Sequence, residues 1–176
     1  MTETTRRIYT GRVVTLDVAD VRLPNGHVAT LEIVGHPGGA AVVALNAAGA
    51  VCLLRQYRHV AGGWLWEIPA GKLDGKTPDA TARAELAEEA GVVARDWQSL
   101  GHIVSSPGVF REVVHLYLAR DLAPVAAAPE REEVFELSWV PLADAVERAL
   151  SGEIVDAKSV VALLRAADRL GRGGAR

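Results

Sequence analysis

Glu85, Glu88 and Glu89 stand at positions i, i+3 and i+4 of a predicted helix that follows the glycine-bearing loop Gly71-Lys72-Leu73-Asp74-Gly75-Lys76. On a helix this spacing gathers three carboxylates on one face within a single turn. Like charges so placed cost roughly 0.2–0.5 kcal/mol per pair in an isolated helix, so the cluster calls for a compensating charge. Hard oxygen ligands suit magnesium or manganese, and such ions commonly bridge protein carboxylates to phosphate. Taken alone, the triplet also fits a solvated acidic helix face.

The elements that must position this face are legible. Thr77 is a good N-cap, Pro78 suits the first helical position, and Asp79 favours the positive end of the helix dipole. Gly91 suits the left-handed residue that ends a helix. Ala82, Leu86 and Ala90 form the inward stripe. Before the helix the chain reads as β structure: Tyr9 to Val18, His27 to Val34, a hairpin of Ala40 to Leu45 with Val51 to Tyr57, and Trp64 to Ile68. Of Trp64 and Trp66, one is expected to pack toward the core and the other to sit at a subunit contact. After the helix, strands are predicted at Trp97 to Ile103, Val113 to Ala119 and Phe135 to Val140. Further helices are predicted from Pro141 to Leu150 and from Ser159 to Leu170. Asp121 to Glu133 reads as a long loop, a length more often functional than idle.

With 176 residues the chain suits one domain with a substantial core. Hydrophobic residues make up 49% and charged residues 23%, and the net charge is -3. That balance gives no support for a nucleic-acid surface, and no apolar run reaches the length of a membrane span. Cys52, the single cysteine, lies in an apolar run and reads as a buried thiol, so no disulfide framework exists. The N-terminal Met1-Thr2-Glu3-Thr4-Thr5-Arg6-Arg7 has no apolar signal core, which makes the cytoplasm the expected location. The five histidines show no metal-ligand spacing.

The glutamate helix and its loop resemble the Nudix box, which runs glycine, five residues, glutamate, seven residues, then Arg-Glu-hydrophobic-x-Glu-Glu-x-Gly-hydrophobic. Glu85-Leu86-Ala87-Glu88-Glu89-Ala90-Gly91-Val92 matches the second half at every fixed position after the arginine. Four outer segments resemble the ADP-ribose pyrophosphatase branch. These are Leu54-Arg55-Gln56-Tyr57-Arg58, Trp66-Glu67-Ile68-Pro69-Ala70-Gly71, Ser106-Pro107-Gly108, and Gly152-Glu153-Ile154-Val155-Asp156-Ala157-Lys158. Two positions depart from the box. Ala84 stands where its arginine would be, with Arg83 one residue early and so rotated by about 100°. The loop is one residue short, so its glutamate falls on Lys76 counted from the helix or on Thr77 counted from Gly71.

The resemblance implies a fold and a set of roles. The fold is an α/β/α Nudix sandwich with a mixed sheet, spanning residues 37–170. An N-terminal β segment, residues 1–36, serves as a dimerisation element, and residues 171–176 form a disordered tail. Glu85, Glu89 and the Ala70 carbonyl would hold Mg²⁺ or Mn²⁺, with Glu88 completing the cluster as a catalytic carboxylate. Glu133, or alternatively Glu132, would be the general base that accepts a proton from the attacking water. Arg58, Glu67, Gly108 and Glu112 would contact the substrate. Arg58 suits a diphosphate because a guanidinium donates bidentate hydrogen bonds, although an ion pair with Glu67 is an equally simple use of it. Glu67 would touch the nucleotide or brace Arg58.

The implied activity is hydrolysis of the diphosphate bond of a nucleoside diphosphate derivative by a homodimer. ADP-ribose, giving AMP and ribose 5-phosphate, is the first choice. Val109-Phe110-Arg111 replaces the common Phe-Ser/Thr-Asp, which keeps another nucleotide sugar such as GDP-mannose open. A non-catalytic sensor of ADP-ribose or a dinucleotide is the alternative from another class.

Overall fold

The computed structural model describes residues 4–128 and 134–173. An antiparallel meander opens the chain: β1 (Thr4–Thr10), β2 (Thr15–Arg22) and β3 (Val28–Gly35). Next come β4 (Gly39–Ala44), β5 (Ala50–Arg58), β6 (Gly63–Glu67), β7 (Ala70–Lys72) and α1 (Pro78–Ala90). The rest is β8 (Val92–Val104), β9 (Phe110–Arg111), β10 (Val113–Pro124), β11 (Phe135–Pro141), α2 (Leu142–Ser151) and α3 (Ala157–Gly173). Three sheets result, in the orders β1-β2-β3-β9, β7-β4-β10-β8 and β11-β5-β6. The parallel pairs are β3 with β9 and β4 with β10.

Side-chain alternation along β4 and β5 explains the layering. Ala41, Val43, Val51 and Leu53 point to one face and pack with Leu116, Leu118 and the small or apolar faces of α2 and α3 (Ala145, Ala162, Leu163). Ala40, Val42, Ala44, Cys52 and Leu54 point to the other and pack with Ala82, Leu86 and Ala90 of α1. Both faces of β4 are thus covered, which is why it reads as a continuous small-apolar run. Each fully buried leucine here contributes about 1.5–3 kcal/mol. The result is the expected α/β/α arrangement. Cys52 is a free, buried thiol, and burial together with the nearby Glu89 charge pushes its pKa up to about 12.

The caps of α1 are those the sequence predicts. Thr77 Oγ1 accepts the Ala80 N–H at 3.3 Å, Pro78 is the first helical residue, and Gly91 closes the helix at φ +62°. Other elements differ. Tyr9 to Val18, expected as one strand, is broken between β1 and β2 by a turn closed by the Gly11 N–H on the Val14 carbonyl. The predicted hairpin forms its Asn46–Gly49 turn, but the backbones of β4 and β5 pair as strands only at a Leu45–Val51 bridge before joining different sheets. β10 continues to Pro124, four residues into the predicted loop, and α3 extends past Leu170 to Gly173. Trp66 packs against the core, whereas Trp64 is 42% exposed beside Tyr57 and Arg55. No helix among the described residues is long and apolar enough to cross a membrane.

Candidate active site

β7, α1, the end of β5 and the start of α3 surround a cavity of about 500 Å³. Its acidic wall follows from helical spacing: Glu85 and Glu88 both line it. Gly71 makes that wall possible. A Cβ on Gly71 would lie 1.7 Å from Glu85 Oε1, so only glycine lets this carboxylate cross the β7 backbone. Glu89 is 2% exposed and lies behind the wall, where its Oε2 accepts the Ala70 N–H at 2.9 Å. The helix thereby fixes the loop whose carbonyl the sequence nominated as a ligand.

Arg58, at the end of β5, donates two hydrogen bonds to Glu67 on β6, at 2.7 and 3.0 Å. Lys158 donates to the same carboxylate and, at 3.0 Å, to Asp156. Asp156 caps α3 by accepting the Ser159 N–H at 3.0 Å and the Ser159 hydroxyl. That hydroxyl accepts the Ile68 N–H at 2.9 Å, which ties α3 to the loop below Ala70. Burial by itself would raise the Glu67 pKa, but the Arg58 hydrogen bonds and the Lys158 charge outweigh it and hold Glu67 below the ordinary carboxylate range. The Arg58 pKa is raised, chiefly by its hydrogen bond to Glu67.

The opposite edge is looser. Lys72 lies 3.9 Å from Asp74, both are largely exposed, and Asp74 takes the left-handed φ of +40°. Lys76, one of the two positions where the box glutamate would fall, lines the cavity as an exposed cation. Arg83 donates to Asp79 at 2.8 Å and lies 4.5 Å over the Trp97 ring. It therefore does not replace the arginine missing at Ala84.

The other predicted residues divide. Glu112 lines the cavity, where its Oε1 is 3.1 Å from His36 Nδ1. Gly108 lines a neighbouring groove of about 320 Å³ between β3 and the 104–113 segment. Glu132 and Glu133 lie outside the described residues, but the ends of that stretch are fixed. The Ala128 N–H bonds to the Glu88 carbonyl at 3.1 Å, and the Val134 carbonyl accepts the Tyr57 N–H at 2.9 Å, next to Arg58. Sequence reasoning did not single out His36, Lys158 or Asp156. The last two stand in a segment whose resemblance was visible, and only the fold brings His36 to the wall.

The residues present suit a hard divalent cation. Among the described residues no three His, Cys, Asp or Glu side chains are grouped as a ready-made metal cage. Magnesium does not need one, because it is commonly held by one or two carboxylates plus substrate phosphate oxygens. Glu85, Glu88 and the Ala70 carbonyl supply that kind of donor set around one cavity.

Comparisons with known proteins agree with this architecture. The model of the NUDIX domain matches residues 35–163. An ADP-ribose pyrophosphatase of Mycobacterium tuberculosis is 40% identical over 161 residues, covering 89% of this chain and 78% of that protein. A methanol dehydrogenase activator of Bacillus methanolicus is 39% identical over 162 residues, covering 90% of this chain and 88% of the relative. A solved structure described as an ADP compounds hydrolase shares the fold at a TM-score of 0.83 with 22% identity, over 97% of this chain and 94% of the other. With the glutamate helix, its glycine loop and most of the remaining length matched, the chain belongs to the Nudix family and is a Nudix hydrolase.

Proposed function

We propose that the cavity cleaves the diphosphate bond of ADP-ribose, yielding AMP and ribose 5-phosphate, in the cytoplasm. The carrying observation is the pairing of opposite chemistries across one space: Glu85 and Glu88 on one wall, and Arg58 and Lys158 at the base. The name of the M. tuberculosis relative supports the choice of substrate. Glu85, Glu88 and the Ala70 carbonyl, with Glu89 bracing the loop behind them, are the groups that would hold Mg²⁺ or Mn²⁺. When held there, such an ion would supply charge neutralisation for the diphosphate and Lewis-acid polarisation of the phosphorus.

The chain's own groups do the rest. Arg58, 42% exposed in its side chain, presents its outer edge to phosphate oxygens while Glu67 braces it from behind. Both Glu67 oxygens are committed to Arg58 and Lys158, which favours bracing over direct contact with the nucleotide. Glu112 accepts a hydroxyl of the distal sugar. Glu133, or Glu132, takes the proton of the attacking water. The described residues on either side, Ala128 bonded to the Glu88 carbonyl and Val134 bonded to the Tyr57 N–H beside Arg58, support a base that serves this cavity. The N-terminal sheet is the proposed homodimer surface, since β1 is exposed along its whole length and Ile8, Tyr9, Val28 and Leu31 are exposed apolar residues.

The deciding experiment assays purified protein with Mg²⁺ or Mn²⁺ on ADP-ribose, GDP-mannose, diadenosine polyphosphates and NADH. AMP and ribose 5-phosphate from ADP-ribose is the expected result. Glu89→Gln should lower kcat by about 10²-fold or more while nucleotide affinity changes little. Tight ADP-ribose binding with no turnover of any panel member would instead identify a sensor, the alternative that the departures at Lys76 and Ala84 favour.

A further inference from the structure

His36 ends the N-terminal sheet and reaches the cavity wall with its side chain 11% exposed. Its Nδ1 lies 3.1 Å from two groups of opposite demand. The Gly38 N–H needs an acceptor there, and Glu112 Oε1, when ionised, needs a donor. One ring nitrogen cannot serve both at once, because it either carries a hydrogen or offers a lone pair. The surroundings keep all three groups together. Gly38 holds φ +89°, and a Cβ there would come 2.8 Å from the Val113 carbonyl, the residue after Glu112. The Phe110 ring centroid lies 5.4 Å from that of His36, with the planes tilted by 45°, and β3 pairs with β9 through Val34 with Phe110 and Gly35 with Arg111. The 110–112 segment is thus clasped by the end of the N-terminal sheet.

We propose that His36 is a positioning residue for Glu112 whose ring proton selects between two arrangements. With hydrogen on Nδ1, His36 donates to Glu112 and holds the carboxylate against the wall. Without it, Nδ1 accepts the Gly38 N–H, and Glu112 is released to accept a substrate hydroxyl. Histidine suits this task because its charge changes near neutral pH. Glu112 is the charged group in contact with the ring. Across the cavity stand Glu85 and Glu88 from α1, Lys72 from β7, and Asp74 and Lys76 from the loop between them; Arg58 and Lys158 are already balanced by Glu67 and Asp156. The proposal rests on the reading of Glu112 as a sugar contact.

Two measurements test it on the full chain. The first is ADP-ribose affinity by calorimetry in EDTA from pH 5.5 to 8, where affinity should rise several-fold with pH. In His36→Asn the amide oxygen can still accept the Gly38 N–H but cannot take up the proton. That variant should bind as wild type does at pH 8 and lose the pH dependence. Persistence of the full pH dependence in His36→Asn would overturn the proposal. The second follows the His36 ring by NMR without ligand, where Glu112→Gln should move its titration midpoint clearly. An unmoved midpoint would overturn the coupling whatever the substrate is. Failure of turnover across the panel with both results intact would overturn the hydrolase reading and leave the His36 assignment standing.

Discussion

The base and the mouth of the cavity are built by opposite means. At the base, Arg58, Glu67, Lys158, Asp156 and Ser159 form one connected network in which Glu67 is 2% exposed and each charge has a partner. At the mouth, Lys72 at the end of β7 and Asp74 and Lys76 on the loop after it are exposed, with a single long pair at 3.9 Å. A buried charge must be paired to be tolerated, and its partners then fix its geometry. An exposed charge is screened and free to rearrange. The base is therefore suited to holding a reacting diphosphate in register, and the mouth to admitting it. The box departure at Lys76 falls on the mouth, where substitution disturbs least, and that at Ala84 lies within α1, whereas Glu85, Glu88 and Glu89 on the same helix match the family.

The largest expected effect comes from the rigid wall. The φ of Gly71 is one that any residue adopts, so Gly71→Ala strains no backbone. The added methyl nonetheless occupies the place of the Glu85 carboxyl and forces it out of position. kcat on ADP-ribose should fall by about 10²–10³-fold, while Tm stays within about 3 °C of wild type. A loss below tenfold would show that Glu85 works equally well from another position, and the contrast between fixed wall and pliable mouth would collapse.

Next in size is the base network. Glu67→Gln leaves Arg58 and Lys158 without their shared anion, at a cost of about 2–3 kcal/mol in stability. In a chain of this size that lowers Tm by roughly 5–10 °C. The pH dependence has a definite sign. Glu67 is held below the ordinary carboxylate range when folded, so its contribution is complete above the unfolded value of about 4.3 and is lost as pH falls through the lower folded value. Calorimetry from pH 3 to 7 should therefore find the gap between wild type and Glu67→Gln widest near neutrality and narrowing below about pH 4. A gap that does not change with pH would mean Glu67 acts as a hydrogen-bonding shape and not as an anion.

The same contrast explains what the sequence could reveal. α1 was readable to the residue because Thr77, Pro78 and Gly91 act locally, each through its own backbone geometry. The acidic wall was readable because helical spacing is fixed. The β4–β5 hairpin misleads because its turn is local and genuine, while the partners of its strands come from β7 and β10 on one side and β6 and β11 on the other. No short window contains that information. The break between β1 and β2 is hidden for another reason: Val13 and Val14 beside a lone Gly11 look like continuing strand. The network at the base joins residues 58, 67 and 156–159, and pairing over such separations follows only from the assembled fold. His36 reaches the wall in the same way, through the pairing of β3 with β9.

The smallest effect belongs to the mouth, and it tests the contrast from its weak side. Lys76 is exposed, so Lys76→Glu should leave Tm within about 1 °C and kcat nearly unchanged. Its acidic replacement repels an incoming diphosphate, so KM for ADP-ribose should rise about two- to fivefold at low salt. The rise should shrink at about 0.5 M salt, where charges more than a few ångströms apart are screened. The substitution also places a glutamate at the box position counted from the helix, but its arginine partner is still missing at Ala84, and Arg83 is held by Asp79 and Trp97. An isolated glutamate there has nothing to orient and should not raise kcat. A higher kcat in Lys76→Glu would show that the loop half of the box works without its arginine, and the mouth would then belong to the catalytic frame as fully as the base.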